Sequence, residues 1–172
     1  TTDEDDMGFF TKPEAAAAGA AGSGPAPLTH QRIIDLLDSR EMRYGVDDHG
    51  NIGGSWDGHL FFFFRMGGDN QQLQVRGRWN RKVGADQVDR MVRLVNDWNA
   101  EKLWPKGYVR VEGEMLGVYA EHTVGYSRGL TDEQLDLHLA CGITTGLSLF
   151  EHLDEAYPDE AAVAKAEDEK ND

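Results

Sequence analysis

Residues 52–79 read IGGSWDGHLFFFFRMGGDNQQLQVRGRW, and this stretch decides the fold. Ile52, Gly54 and Trp56 alternate with other residues before Asp57-Gly58, a dipeptide typical of tight β-hairpin turns. The run Leu60–Phe64 is predicted to be a buried strand. A second turn at Gly67–Asn70 leads into a further alternating segment, residues 73–79. Strands joined by such short turns pair with their neighbours, so we predict an antiparallel meander.

The segment before this stretch adds a helix and one more strand. Thr29 is the expected N-cap of a helix that runs to about Glu41. Residues 42–46 then alternate between apolar and polar, which predicts a first strand before the turn at Asp47–Asn51. The buried stripe of the helix is formed by Ile33, Ile34, Leu36 and Leu37.

Two helices and a second hairpin are predicted after residue 79. Asp86 opens a helix, and residues 108–120 alternate around Gly113-Glu114 as a hairpin should. Thr131 and Gln134 form a capping box for a last helix, which we expect to end near Tyr157 before Pro158. The order is α-βββ(β)-α-ββ-α. It predicts the α+β class, with helices packed on a mainly antiparallel sheet.

Charge and composition set the domain boundaries. The 172 residues carry a net charge of −14, which is concentrated at the two ends of the chain. Residues 1–27 hold five acids and one lysine in an Ala/Gly/Pro-rich segment, and residues 151–172 hold nine acids and two lysines. Segments of this kind bury too little apolar surface to offset their ordering entropy. We expect one domain over residues 28–158, between an N-terminal tail (1–27) and an acidic C-terminal tail (159–172), and we expect the domain to fold without either tail.

Composition also excludes several classes of protein. The longest apolar run, Leu60–Phe64, is far shorter than the roughly 20 residues of a membrane-spanning helix. Residues 1–6 are acidic and lack the basic and apolar regions of a signal peptide, and the single cysteine excludes an internal disulfide. These features predict a cytoplasmic protein without a membrane partner. A net charge of −14 disfavours nucleic acid as a partner, because the chain repels phosphates at long range.

The elements and the residues that fill them resemble the YbjN-like family, whose fold is like that of type III secretion chaperones. The resemblance covers residues 28–158 and leaves both tails unaccounted for. It rests on the apolar stripe of the first helix, on Trp56-Asp57-Gly58 followed by Phe61–Phe64, on Leu73–Trp79, on Val92–Trp98 with Asn96 and Asn99, and on Lys102–Pro105.

The resemblance implies a bacterial, cytosolic protein that is chaperone-like or regulatory, of the class labelled sensory transduction regulators. Secretion chaperones act as homodimers that hold an extended segment of a partner protein. The family brings no established catalytic residues, so the resemblance implies a non-enzymatic protein that binds a protein partner.

Motifs that would carry chemistry are weak. His138 and Cys141 are three residues apart on the last helix, but two ligands do not make a zinc site. The glycine-rich segments lack the lysine and the following helix of a phosphate loop. We therefore expect no metal, no cofactor and no catalytic residue. The alternative that stays open is a small enzyme whose site is assembled from distant residues, such as His59, His122 and Glu121.

A basic cluster is the most prominent polar feature. Arg76 and Arg78 alternate with apolar residues and should project from the solvent face of their strand, and Arg81 and Lys82 continue the cluster. One interpretation is a solvated sheet face that pairs with acids such as Glu112 or Glu121. The other is a binding site for a carboxylate-rich segment of a partner or of the protein's own tail, because arginine forks suit carboxylates.

The last helix is the most informative apolar feature. One face is apolar and includes Gly142 and Gly146, each of which costs roughly 1 kcal/mol relative to alanine. Close approach of this helix to the sheet would offset that cost. The segment Leu137–Phe150 has no charged residue, so its back also needs a cover, either another helix of the chain or a second subunit or partner. The candidate dimer surface is Leu137, Cys141, Thr144 and Ser148.

Overall fold

Six strands form one antiparallel sheet in the computed structural model, which describes residues 24–170. The strands are β1 (Gly45–Val46), β2 (Ile52–Trp56), β3 (His59–Met66), β4 (Gln72–Arg78), β5 (Lys106–Glu112) and β6 (Met115–Gly125). Their order in the sheet is β1-β2-β3-β4-β6-β5. Helix α1 (His30–Ser39) precedes the meander, α2 (Val88–Glu101) separates it from the β5–β6 hairpin, and α3 (Asp132–Ala156) and α4 (Pro158–Asp168) follow. The α+β prediction and the predicted meander are confirmed.

Local signals place the elements where the sequence predicts them. Asp57 and Gly58 both have positive φ angles, 49° and 72°, as the hairpin turn between β2 and β3 requires. The hydroxyl of Thr29 accepts a hydrogen bond from the N–H of Arg32 at the start of α1. At the start of α3 the predicted capping box is present, since Thr131 and Gln134 each bond the backbone of the other.

Helix α3 lies directly on the sheet through its glycines. A Cβ atom at Gly146 would lie 2.8 Å from the ring of Phe61, and Gly142 is similarly close to Val75. The face that the sequence identifies is buried, and it comprises Leu135, Leu139, Gly142, Ile143, Gly146, Phe150 and Leu153. The predicted close approach is confirmed. None of the helices that the structure describes is long and apolar enough to cross a membrane.

The helices lie on one side of the sheet. Gly107 of β5 faces Val95 of α2 and Leu149 of α3, while α1 and α4 pack on α3. Strand β3 is consequently buried on one side only: Phe61 and Phe63 are fully buried, whereas Leu60 is 40% exposed. The prediction that all of Leu60–Phe64 is buried is therefore wrong for alternate residues, because successive side chains of a strand point to opposite faces.

Helix α4 is an element that the sequence analysis did not predict. Pro158 follows the end of α3 as expected, but it also occupies the first turn of α4, where a missing N–H costs nothing. Ala161 is buried, and Lys82 forms an ion pair with Glu167 at 3.2 Å. Most of the segment interpreted as an acidic tail is thus helical and lies against the domain.

The described chain also begins before the predicted boundary at residue 28. Ala26 pairs with Leu130 in an isolated β-bridge, and the guanidinium of Arg32 donates to the carbonyl oxygens of Ala26 and Pro27. Ala26 and Pro27 therefore contact the domain. The rest of the predicted N-terminal tail, residues 1–23, lies outside the described residues.

Candidate functional site

The face of the sheet opposite the helices has none of the described helices on it, and we call it the open face. Alternate residues of four neighbouring strands form it, since side chains of a strand alternate between the two faces. Its main members are Leu60, Phe62 and Phe64 of β3; Arg76 and Arg78 of β4; Tyr119 and Glu121 of β6; and Lys106, Tyr108 and Arg110 of β5.

A buried carboxylate lies at the centre of this face. Glu121 is only 6% exposed, and its Oε1 accepts hydrogen bonds from Arg76 Nε at 2.8 Å and from the Tyr108 hydroxyl at 2.6 Å. The Nζ atom of Lys106 lies 2.5 Å from Oε2. The register of the ladders explains the arrangement, because Arg76 and Lys106 are the cross-strand partners of Glu121 on its two sides. The buried charge is paired and hydrogen-bonded, as a buried charge must be.

The electrostatics keep this centre ionised at neutral pH. Burial opposes ionisation of Glu121, but hydrogen bonds from Lys106 and Tyr108 and the charge of Arg76 lower the pKa of its carboxyl. Burial, together with the hydrogen bond to Glu121, raises the pKa of Tyr108 to about 12. The phenol therefore keeps its proton and remains a donor to the carboxylate.

The two arginines that β4 contributes to the open face are held by hydrogen bonds but keep unused donors. Arg76 uses Nε for Glu121, and its guanidinium carbon lies 5.0 Å from the centre of the Phe64 ring. Arg78 donates to the hydroxyl of Tyr119 at 3.3 Å and to Glu112 at 2.7 Å. Their side chains are 32% and 35% exposed, and a guanidinium has five N–H donors. Each arginine keeps donors beyond those that these bonds use.

The arginines of β4 pair with acids of neighbouring strands, and this pairing is compatible with both interpretations of the cluster. The predicted partners, Glu121 and Glu112, are the observed ones. They also hold the two guanidiniums in place, so a carboxylate approaching from outside would meet donors that are already positioned.

Stacked rings flank the arginines. Phe62 and Phe64 lie with ring centres 5.8 Å apart and planes 17° from parallel. Tyr108 and Tyr119 form a second stack across β5 and β6, at 5.1 Å and 15°. The open face therefore alternates guanidinium groups with ring surfaces, a combination that interacts favourably with both charged and apolar side chains.

The structure splits the predicted basic cluster. Arg81 is not on the solvent face, as its side chain is 1% exposed and its Nε and Nη2 donate to Asp154 of α3 at 3.0 and 2.9 Å. Lys82 is 76% exposed and lies near α4. Strand β4 ends at Arg78, so the alternation that places Arg76 and Arg78 outward does not extend to these two residues.

The back of α3 is partly covered by α4. Thr144 and Ser148 line a cleft of about 1060 Å³ between α3, α4 and the β2–β3 hairpin, while Leu137 is 70% exposed. Cys141 is half-buried, and burial raises the pKa of its thiol. Helix α4 therefore forms the other wall of the cleft at one end of the candidate dimer surface, but Ser148 there and Leu137 at the other end are both exposed.

Of the residues of the alternative enzyme site, Glu121 and His122 both line one cavity, but His59 lies far from them. The ring of His59 lies 4.8 Å from Phe150, and the ring of His122 lies 4.6 Å from His138. Phe150 and His138 are twelve residues apart on α3, or about 18 Å along its axis. Glu121 is on the open face, on the other side of the sheet from both histidines. Within residues 24–170, no group of three or more His, Cys, Asp or Glu side chains could hold a metal ion.

Known proteins share features of this sequence and this fold. The family model YbjN, described as "Putative bacterial sensory transduction regulator", matches residues 29–155. The chain belongs to the YbjN family. The crystal structure of YbjN from E. coli, described there as "a putative transcription regulator", superposes with a TM-score of 0.66 at 11% sequence identity. The match covers 78% of this chain and 96% of that chain, and it shows that the two share a fold. The search of curated proteins found no match.

The YbjN match ends at residue 155, just before α4 begins at Pro158. Helix α4 therefore lies beyond the segment that the YbjN family model covers. The match includes every strand of the open face.

Sequence reasoning missed several members of the open face within the YbjN domain. Phe62 and Phe64 were hidden in a continuous aromatic run that gives no periodicity. Tyr108 and Tyr119 lie in the predicted hairpin but carry no signal of function, and Lys106 lies just before that hairpin. The signal that could have found them is the strand register: aligning Tyr108 with Tyr119 across the Gly113-Glu114 turn places these rings and Arg78 in one row.

Proposed function

We propose that this protein is a non-enzymatic regulator that acts in the bacterial cytosol by binding a protein partner. Its open face would hold an extended, carboxylate-bearing segment of that partner, much as a chaperone holds a client. The observation that carries this proposal is the arrangement of Arg76 and Arg78, oriented by Glu121 and Glu112, between two stacks of aromatic rings.

The chemistry of the face favours an acidic segment. Four cations, Arg76, Arg78, Lys106 and Arg110, project on the same side as two acids, Glu112 and Glu121, so the face is locally positive on a strongly acidic chain. Charge-assisted bonds from guanidinium to carboxylate are about twice as strong as neutral ones. Apolar side chains of the segment would pack on the rings of Phe62 and Phe64.

The family description agrees with a regulatory role, and His59 lies apart from His122 and Glu121, so these three residues do not form a single site. A second copy of the chain is a further partner that we propose. Leu137 is a large apolar residue that is 70% exposed. It belongs to the candidate dimer surface, whose residues are all uncharged. Such a residue at the centre of a two-fold contact would be buried twice.

Site-specific crosslinking tests the open face. Photoreactive benzoylphenylalanine replaces Phe62 in the full chain, and adducts formed in extract of the native cell are mapped to the crosslinked partner peptide. The same probe at Val163 of α4, which is 57% exposed, reports background. We expect Phe62 adducts on one recurrent partner peptide rich in Asp and Glu, absent from the Val163 sample.

Charge variants then test the arginines. Arg76→Gln/Arg78→Gln removes two charges and keeps polar side chains beside the buried Glu121. Arg93→Gln/Arg128→Gln is the matched control, since both residues are exposed and lie outside the open face. We expect the first double variant to lose most of the crosslinked partner and the salt sensitivity of its capture, and the control to keep both. Equal capture by both double variants would contradict the proposal.

A further inference from the structure

A cavity of about 540 Å³ opens at the edge of the sheet, and nothing above assigns it a role. It lies between the α2–β5 connection and the end of β6. The strand register explains its origin. Strand β5 pairs with β6 only as far as Lys106↔Glu121, whereas β4 pairs with β6 on the other side as far as Gly125. Beyond Glu121, β6 therefore has a strand neighbour on one side only. The volume lies within the range of small-molecule sites.

The wall of this cavity contains a buried polar group without a hydrogen-bond partner. His122 is 6% exposed and makes ring contacts with Trp104 and His138, at 5.1 and 4.6 Å. Its ring forms no hydrogen bond with any residue in the described part of the chain. The ring nitrogens of His122 are not among the fully buried atoms that lack a partner, so they keep accessible surface beside the cavity and are open to a ligand in it.

The other buried histidines show that this feature is specific to His122. The Nδ1 atom of His59 accepts a hydrogen bond from the N–H of Asn80 at 3.0 Å. His138 is bonded to the hydroxyl of Tyr126 at 3.1 Å and approaches the carbonyl oxygen of His122 at 3.4 Å. Burial lowers the pKa of His122, so its ring is neutral at pH 7 and has one N–H to donate.

The remaining lining indicates which ligand would satisfy that N–H. Lys102 and Lys106 both border the cavity and are exposed. Glu121 also borders it and is paired with Lys106, so Lys102 is the cation that remains for an acceptor group. Trp104 is 48% exposed and Leu103 is 80% exposed, an unusual degree for large apolar residues that neighbour each other. The cavity thus combines an unpaired donor, an unpaired cation beside the Lys106–Glu121 pair, and an apolar wall.

We infer that this cavity binds a small carboxylate with an aromatic or apolar body, whose carboxylate accepts a hydrogen bond from His122 beside Lys102 and whose body packs on Trp104. The same chemistry is presented by a free small molecule and by the C-terminal residue of a peptide. The cavity shares Lys106 and Glu121 with the open face, but the inference rests on His122 and does not depend on the open face binding a partner.

Phenylacetate is the probe for the test, and phenylacetamide is its uncharged counterpart. Both are titrated to about 10 mM into the full chain while the imidazole signals of His122 and the indole signal of Trp104 are followed by NMR. We expect phenylacetate to shift both sets of signals with a Kd below about 1 mM and phenylacetamide to bind at least about ten-fold more weakly. A tripeptide Gly-Gly-Phe with a free C terminus binding at least about ten-fold more tightly than phenylacetate would identify the source as a peptide end, with the carboxylate chemistry unchanged.

Variants make the result specific to the cavity. His122→Phe keeps the ring and removes the donor, and Lys102→Gln removes one cation at an exposed position that cannot unfold the protein. Lys82→Gln is the matched control, because this exposed lysine lies near α4. We expect both cavity variants to weaken phenylacetate binding at least about ten-fold and the control to leave it unchanged. If His122→Phe fails to fold, phenylacetate binding by Lys102→Gln, compared with Lys82→Gln, tests the inference. Absence of shifts at 10 mM, equal shifts with the amide, or equal binding by Lys102→Gln and Lys82→Gln would overturn the inference.

Discussion

A Cβ atom built on Gly142 would lie 2.5 Å from Cβ of Val75, so α3 and β4 meet here at the distance that only a glycine permits. The contact fixes how deeply the longest helix rests on the centre of the sheet. Helix α3 separates the core from the cleft beside α4. The contact between Gly142 and Val75 therefore sets the position of the core and of the cleft.

Gly142→Ala should therefore destabilise the protein, although alanine is the better helix former by roughly 1 kcal/mol. The added methyl group overlaps Val75, and overpacking of this kind costs about 1–3 kcal/mol. Urea unfolding measures the change in the free energy of unfolding. Gly68→Ala is the control, since a Cβ atom there meets nothing within 4 Å. A Gly142→Ala protein as stable as the Gly68→Ala protein would contradict the close approach.

The second prediction concerns the buried pair of Arg81 and Asp154. The carboxylate of Asp154 accepts two bonds from Arg81 and one from the indole N–H of Trp79 at 2.8 Å. Asp154→Ala leaves a guanidinium that is 1% exposed without its partner, and such a loss costs about 3–5 kcal/mol. Lys82→Ala breaks an exposed pair and should cost at most about 1 kcal/mol. Similar losses of unfolding free energy for the two variants would show that the Arg81 pair contributes no more than a surface contact.

The fold could be predicted because its signals are local. Turn dipeptides, the capping box at Thr131 and the alternation of β2, β4 and β6 each act within a few residues of sequence. The two glycines of α3 are also a local anomaly, and the close approach that they predicted is confirmed.

What could not be predicted depends on contacts between distant parts of the chain. Arg81 turns inward because Asp154, more than 70 residues away, lies beneath it. Helix α4 has the composition of an acidic tail, and its docking depends on a surface that other elements build. In the run Phe61–Phe64, only the presence of helices on one side decides which two rings are buried.

Stability should decrease in mild acid because of two buried histidines. Burial, with the nearby charge of Arg81, lowers the pKa of His59 to about 4, and burial beside His122 lowers the pKa of His138 to about 4. Both values lie below the ordinary 6.5, so the unfolded chain binds more protons. The contribution of these two histidines to the free energy of unfolding is therefore fully present above about pH 6.5. It is lost as pH falls toward 4, by up to about 1.4 kcal/mol per pH unit for each histidine.

Urea unfolding at a series of pH values between 7.5 and 4.5 measures this slope. His138→Gln should make the slope shallower, whatever it does to stability at neutral pH. His49→Gln, at an exposed position, is the control variant. A slope that is the same in all three proteins would contradict the role of His138.

Removal of α4 should leave the domain folded. Ala161 is the buried residue of α4, and the ion pair of Glu167 with Lys82 is exposed. A chain that ends at Pro158 should therefore unfold less than about 10 °C below the full chain, since 1 kcal/mol shifts the midpoint of a protein this size by about 2–4 °C. Ala161→Asp in the full chain should reproduce the same decrease by undocking the helix. A larger loss in the shortened chain would show that α4 is part of the core.

The last prediction tests self-association through the back of α3. Thr144 is a poor probe, because its hydroxyl donates to the carbonyl oxygen of Ala140 and it lines the cleft beside α4. Leu137 is 70% exposed, so Leu137→Lys should leave a single copy intact. In a two-fold contact the new lysine would be buried without a partner on both sides of the interface, at a cost of several kcal/mol. Light scattering should then report a wild-type dimer and a folded Leu137→Lys monomer.

Val92→Lys probes α2 as the alternative contact, and Val163→Lys on α4 is the control; both residues are about half exposed. Dissociation by Val92→Lys alone would move the contact to α2, and a wild-type protein that stays monomeric at high concentration would contradict self-association.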